Sequence, residues 1–190
     1  MNEIDKNNYL PVIQDDHVVV RRIFNYIGNY LHKHDEDDIL DIDFITTIAI
    51  FLDTSLIPIH FRREEQVLFK KLNRLTISSS MQSQIKKIIK TQKFIEQLAL
   101  DLSLLKIQYD KGNNSSINEI HTMLWSLLKS YNKLELEQKK LFPQIDRFLS
   151  DPQKKKLSND LLKFDQYIIK ELIHHSIIEK YRKYDNLTEK

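Results

Sequence analysis

The sequence predicts an all-α fold, namely an antiparallel up-down-up-down four-helix bundle followed by a C-terminal fifth helix. Only 2 glycines and 4 prolines occur among the 190 residues, which is too few for a protein made of many short strands and turns. Apolar residues instead recur three and four positions apart over long segments, which is the helical period. We therefore expect one domain over residues 1–190, with the bundle at about 13–150 and the additional helix at about 152–184.

The first two predicted helices cover the N-terminal third of the chain. The first is expected to begin near Asp15 or Asp16, whose carboxylates can cap free backbone amides. It continues at helical spacing through Ile23, Phe24, Ile27 and Leu31. The second is expected from about Asp41 to Leu75. Pro58 lies inside it and predicts a kink, because proline lacks a backbone donor and crowds the carbonyl four residues earlier.

The other three predicted helices have signals at their ends. Ser78 to Ser80 can cap a third helix that ends near Gly112. Ser116 and Glu119 have the S-x-x-E form of a capping box and predict the start of a fourth helix, which contains Pro143. Asp151 and Pro152 supply an N-cap and a first-turn proline for a fifth. Since the connections are short, neighbouring helices should run antiparallel.

Charge and composition exclude several classes of function. Basic and acidic residues nearly balance, 29 against 27, so no strong field favours nucleic acid or an acidic membrane, and we expect neither as a partner. The polar, acidic start of the chain is unlike an export signal. The longest apolar stretch, Phe44 to Leu52, is short for a membrane span. With the absence of cysteine, these features predict a cytoplasmic protein.

Motifs for nucleotide binding and for nucleophilic hydrolysis are missing. The sequence has no glycine-rich phosphate loop, no G-x-S-x-G elbow and no cysteine nucleophile. The adjacent Arg62 and Arg63 are most simply part of a solvated face, and His174 and His175 are expected to be surface or packing residues. Whether the chain is an enzyme is left open by these observations.

An internal repeat relates the first two helices to the next two. With an offset of 73, Leu68-Phe69 superposes on Leu141-Phe142, Glu64 on Glu137 and His60 on Lys133; with an offset of 75, His17 superposes on Gln92. Residues four apart share one face of a helix, so His60 and Glu64 can direct an imidazole and a carboxylate at one point. This is a spacing suited to metal ligands.

These residues carry a resemblance to a known family. A histidine near the start of helix one, H-x-x-x-E-E-x-x-L-F in helix two and x-x-x-E-x-x-x-L-F-P in helix four are similar to the hemerythrin, or HHE cation-binding, family over about residues 13–150. The resemblance implies a four-helix bundle that holds two non-haem irons through histidines from all four helices and two bridging carboxylates. It would make His17, His60, Glu64 and Glu137 the metal ligands.

Two positions depart from the family pattern and leave two hypotheses open. Gln92 and Lys133 stand where the family has histidines of helices three and four. In the first hypothesis, one metal, iron if any, is held by the four remaining ligands and binds oxygen, nitric oxide or peroxide. In the second, no metal is bound and the Lys133 ammonium lies between Glu64 and Glu137, in a bundle that acts as an interaction or regulatory module. The sequence does not identify a protein partner.

Overall fold

The computed structural model describes residues 9–33, 41–113 and 116–188, with side chains at residues 13, 16–33, 41–113 and 116–171. Five helices account for nearly all of them: α1 Tyr9–Lys33, α2 Ile42–Leu72, α3 Ser79–Asp110, α4 Ser116–Phe148 and α5 Asp151–Thr188. Within these ranges no residue forms a strand. The prediction of an all-helical protein with five helices is confirmed. His174 and His175 lie outside the described side chains.

Several helix ends lie where their sequence signals indicate. The Asp41 carboxylate accepts a hydrogen bond from the Asp43 amide at 2.8 Å, and Ser78 Oγ accepts one from the Met81 amide at 3.2 Å. Gly112, at φ 92°, follows α3, and its amide donates to the Tyr109 carbonyl. The next amide, of Asn113, donates to the Gln108 carbonyl. This pair of bonds is a Schellman motif, whose left-handed position favours glycine.

Three helix starts differ from their predictions. Helix α1 begins at Tyr9, before Asp15. Pro11 is compatible with this start because it falls in the first turn, where backbone donors have no intrahelical acceptor. Ser116 Oγ is buried and has no hydrogen-bond partner among the described residues, so it does not form the predicted capping box. The cap of α5 is Ser150, whose amide donates to Gln153 Oε1 at 2.9 Å.

Helix α2 changes its hydrogen-bonding pattern around the proline. Residues Leu52–Phe61 and Glu64–Phe69 form π-helical turns, in which each amide bonds to the carbonyl five residues earlier. Pro58 lies in the first of these segments. Because its ring would crowd the carbonyl four residues back, a wider turn accommodates it. His60 and Glu64 are therefore both held by turns wider than those of an α-helix.

The helices pack around one apolar core. Contacts join α3 with α4, α1 with α4 and α5, and α2 with α3 and α5. The largest fully buried side chains include Phe24, Phe61 and Phe69, and the Phe24 ring stacks on Tyr131 at 3.8 Å. Helix α2 is long and apolar enough to cross a membrane by length and composition alone. The most apolar stretch of α2 is 33% buried inside the protein. Core helices can meet the same criterion, and Leu52, Leu56 and Leu68 of α2 are fully buried in this core, whereas Ile50 is exposed.

Candidate metal centre

Three of the predicted ligands meet inside the protein. His17 of α1 and His60 and Glu64 of α2 place one ligand atom each within 4.8 Å of one another. His17 Nε2 lies 2.8 Å and His60 Nε2 3.7 Å from Glu64 Oε1. The Glu64 side chain has no exposed area, and those of His60 and His17 are 6% and 11% exposed. A carboxylate and two imidazoles thus converge in a site that excludes bulk water.

The buried Glu64 carboxylate accepts hydrogen bonds from three helices besides its own. His17 of α1 donates to Oε1, and Gln92 Nε2 of α3 donates to Oε2 at 2.7 Å. Gln138 Nε2 of α4 lies 3.0 and 2.9 Å from the two oxygens. These donors offset the cost of burying a carboxylate away from water. Glu64 is therefore the point at which four helices are joined by polar contacts.

The same environment shifts two pKa values. Burial by itself would raise the pKa of Glu64, but the hydrogen bond from His17, the nearby imidazoles and the Gln138 amide together hold that pKa below its ordinary value. Burial lowers the pKa of His60, against the opposing effect of the Glu64 carboxylate. At neutral pH the site therefore contains a carboxylate and a neutral His60, the protonation states that bind metal ions.

A buried arginine lies directly behind the site. Arg63, which is 6% exposed, forms ion pairs with Asp16 of α1 and with Asp165 of α5, the latter at 2.8 Å. Asp16 also lies 4.0 Å from His60 Nδ1, on the side of the ring facing away from Glu64. At this distance the two groups interact electrostatically and form no hydrogen bond. The prediction that Arg63 belongs to a solvated face is wrong, since it links three helices.

Glu137 and Lys133 do not take part in the cluster. The Glu137 side chain is 21% exposed and pairs with Lys140 at 3.4 Å. Lys133 is exposed and lines a surface groove together with Glu137. The ammonium therefore does not lie between the two carboxylates. Gln138, which is 1% exposed, occupies the place predicted for Glu137.

The wide turns of α2 explain this difference of one residue. The internal repeat pairs residues of α2 with residues of α4 at one constant offset. This pairing assumes that successive residues turn by the same angle in both helices. Residues Glu64–Phe69 are π-helical whereas Ser116–Phe148 is a regular α-helix, so the two helices fall out of phase. Gln138 is three residues before Leu141 and four after Leu134, both fully buried. That spacing was a signal for an inward-facing Gln138.

The three convergent side chains could hold a metal ion after a small inward movement, since their ligand atoms lie within 4.8 Å of one another. Ligand atoms that each lie about 2.1 Å from a metal are roughly 3 to 3.5 Å from one another, and the distances from Glu64 Oε1 to the two imidazole nitrogens, 2.8 and 3.7 Å, lie close to that range. A cation would take the place of the direct hydrogen bond between His17 and Glu64. A half-turn of the Gln92 or Gln138 amide would present an oxygen to it.

The cluster brings together three of the four predicted ligands, His17, His60 and Glu64, and Gln92 and Gln138 join it through hydrogen bonds to Glu64. Comparisons with protein-family models, with curated proteins and with solved structures found no match to this chain.

Proposed function

We propose that this chain is a hemerythrin-like cation-binding protein with one metal ion held by His17, His60 and Glu64. The observation that carries the proposal is the convergence of these three buried ligand atoms within 4.8 Å of one another. Two imidazoles and one carboxylate form a donor set common to non-haem iron sites and to catalytic zinc sites. Iron is the metal we propose, through the resemblance to hemerythrins.

We further propose that α1 to α4 form the antiparallel four-helix bundle of that family. Contacts between helices support opposite directions for three of the adjacent pairs, because residue numbers rise along one helix as they fall along the other. Helices α1 and α4 are joined by His17 with Phe142 and Phe24 with Tyr131. Helices α1 and α2 are joined by Tyr30 with Phe44 and His17 with His60. Helices α2 and α3 are joined by Asp53 with Ser103 and Glu65 with Lys93. Glu64 lies at the centre of this arrangement.

Three protein ligands would leave coordination positions free. A cation held in this way can bind a small molecule such as oxygen, nitric oxide or peroxide. The protein residues around it have separate tasks. Gln92 and Gln138 hold Glu64 in place through their amides, while the Asp16 carboxylate adds a negative charge 4.0 Å from His60 Nδ1. Burial keeps bulk water out of the site.

Metal analysis of the purified protein tests the proposal. Protein produced in iron-replete medium should contain close to one iron per chain, and metal-free protein should regain it on anaerobic reconstitution. Glu64→Gln should abolish retention, whereas Glu137→Gln, a matched change in a carboxylate outside the cluster, should leave it unaltered. Stoichiometric metal in Glu64→Gln, or none in the unmodified chain, would overturn the assignment.

A metal-free bundle that acts as an interaction or regulatory module is the second candidate. The observation in its favour is that two amides and His17 already satisfy the Glu64 carboxylate by hydrogen bonds. Exposed Lys133 has no part in this version. The same metal analysis separates the two candidates, since a chain that neither retains nor takes up a transition metal supports the second.

A further inference from the structure

Helices α2 and α3 present exposed apolar side chains on the outside of the protein. Leu100, Leu104 and Ile107 of α3 are 58%, 59% and 48% exposed, and Ile50 of α2 is 56% exposed. Ile57 of α2 is half-buried and lines the same groove as Leu100. We call these five residues the α2–α3 face. Large apolar side chains that are exposed side by side mark contact surfaces, whereas single exposed ones do not.

The α2 and α3 rows of this face lie next to each other. The three α3 residues are spaced by four and three positions, so they share one side of the helix. Ser103 Oγ donates a hydrogen bond to Asp53 of α2 at 3.4 Å, and Leu100 and Ile57 line one groove. Residue numbers thus fall along α2 as they rise along α3. This places Ile50 beside the far end of the α3 row.

The α3 row is symmetric about its own centre. Leu100 and Ile107 are equally far from its midpoint, and Leu104 is next to that midpoint. A half-turn about an axis through the midpoint therefore places Leu100 of one copy of the chain against Ile107 of another. It also brings the two copies of Leu104 together. This self-complementarity is what a two-fold contact between identical chains requires.

The ends of the α3 row carry opposite charges. Glu96 stands four residues before Leu100, and Lys111 four residues after Ile107. The same half-turn places Lys111 of one copy opposite Glu96 of the other. Lys111 is exposed, and Glu96, which pairs with Lys93 at 3.3 Å, keeps 16% of its side-chain area exposed. Charges at such a rim select the partner and the register more than they add affinity.

The α2 row has the same centre as the α3 row. Asp53, which accepts the Ser103 hydroxyl, has Ile50 three residues before it and Ile57 four residues after it. The half-turn therefore places Ile50 of one copy against Ile57 of the other. It also brings the two Asp53 carboxylates near each other, and burial already raises the pKa of this carboxyl. Asp53 is thus a repulsive element within an otherwise matching surface.

We propose that two copies of this chain pair through the α2–α3 face, with their α3 helices antiparallel. The row from Glu96 to Lys111 is about 22 Å long at 1.5 Å per residue. Two helices side by side are about 20 Å wide. The contact then covers roughly 450 Å² of each copy, which is less than the roughly 800 Å² of a standard interface. We therefore expect a weak dimer, with a dissociation constant in the micromolar range, and no metal takes part in it.

Sedimentation velocity of the full chain at about 1 to 500 µM measures the pairing. A chelator in the buffer removes any influence of the cation site. The mass should rise with concentration from 22.8 kDa toward twice that value.

Variants assign the contact to the α2–α3 face. Leu104→Glu sets a charge from each copy at the axis and should raise the dissociation constant by about tenfold or more. Leu136→Glu, a matched change at a residue of α4 that is 56% exposed and outside the face, should dimerise as the unmodified chain does. Asp53→Asn should dimerise more tightly, because it removes the repulsion. Circular dichroism checks that each variant is folded.

Disulfide cross-linking measures the register, since the chain has no cysteine of its own. A disulfide requires two Cα atoms within about 7 Å of each other. Leu104→Cys should therefore link to a second copy of itself. Leu100→Cys should link to Ile107→Cys in a mixture of the two, but not to itself, because two copies of residue 100 are about 10 Å apart along the helices. Leu136→Cys should stay unlinked.

Three outcomes overturn the proposal. The first is a chain that stays monomeric over the whole concentration range; if Leu104→Glu then lowers its thermal stability, another segment of the same chain covers this face. The second is a dissociation constant of Leu104→Glu equal to that of Leu136→Glu, because the dimer would then use a different surface. The third is Leu100→Cys that links to itself as readily as to Ile107→Cys, because the two-fold axis would then lie elsewhere.

Discussion

Replacing Gln138 by leucine tests the hydrogen bonds around the buried Glu64 carboxylate. The Gln138 amide lies 3.0 and 2.9 Å from the two carboxylate oxygens, and both residues are almost fully buried. Leucine has a similar volume but no donor. A hydrogen bond to a charged group contributes about 1.5–3 kcal/mol, and the buried Glu64 carboxylate cannot replace the lost donor with bulk water. We expect Gln138→Leu to lower the free energy of unfolding by about 2 kcal/mol.

Urea unfolding followed by far-ultraviolet circular dichroism, with a chelator present, measures this change. Gln97→Leu is the matched control, because Gln97 donates to Asp101 at 2.9 Å on the exposed surface of α3. Its cost should be within about 0.5 kcal/mol of zero. In a Glu64→Gln background the cost of Gln138→Leu should fall, since the deprived group is then uncharged.

A cost of Gln138→Leu no larger than that of Gln97→Leu would refute the reasoning. It would mean that the Gln138 amide does not stabilise the carboxylate. Equal costs with and without Glu64→Gln would refute it as well, because the charge of Glu64 would then have no influence on the effect.

Three further predictions concern pH, the buried arginine and a turn. Burial holds the pKa of His60 below its ordinary value, and hydrogen bonds and nearby imidazoles hold the pKa of Glu64 below its ordinary value. As pH falls, the unfolded chain therefore takes up protons at these two residues before the folded chain does. Stability should therefore be full above about pH 6.5 and decline first through His60 and then, below about pH 4.5, through Glu64. Urea unfolding midpoints measured between pH 7 and 4 follow this decline, and a midpoint that rises on acidification contradicts it. In His60→Asn the loss of stability above pH 5 should be absent. Arg63→Met leaves two carboxylates without their cation and should cost roughly 3 kcal/mol in urea unfolding, and a cost below about 1 kcal/mol would show that the pairs are unimportant. Gly112→Ala should cost about 1 kcal/mol, since its left-handed backbone disfavours a side chain although no atom lies within 4 Å of the added Cβ; unchanged thermal stability would count against this.

Helix content was predictable because it depends on local properties of the chain. The cap at Ser78 and the stop at Gly112 are recognised from a few neighbouring residues, and both are confirmed. The start of α1 was missed because an N-terminal proline is neutral in a first turn, so Pro11 does not act as a break. The cap of α5 was misplaced by one residue, from Ser150 to Asp151, since both types of residue cap helices well.

The sequence by itself determined that this protein is helical and that His17, His60 and Glu64 are candidates for one site, because residues four apart share a helix face and internal similarity connects the helices. Only the tertiary structure decided that Gln138 completes the cluster and that Glu137 faces outward. The physical reason is the π-helical turns in α2, which alter the angle between successive residues by an amount that an ungapped comparison does not register. The ion pairs of Arg63 could not be predicted from the sequence either, because packing of the helices brings Asp16 and Asp165 to Arg63 from distant parts of the chain.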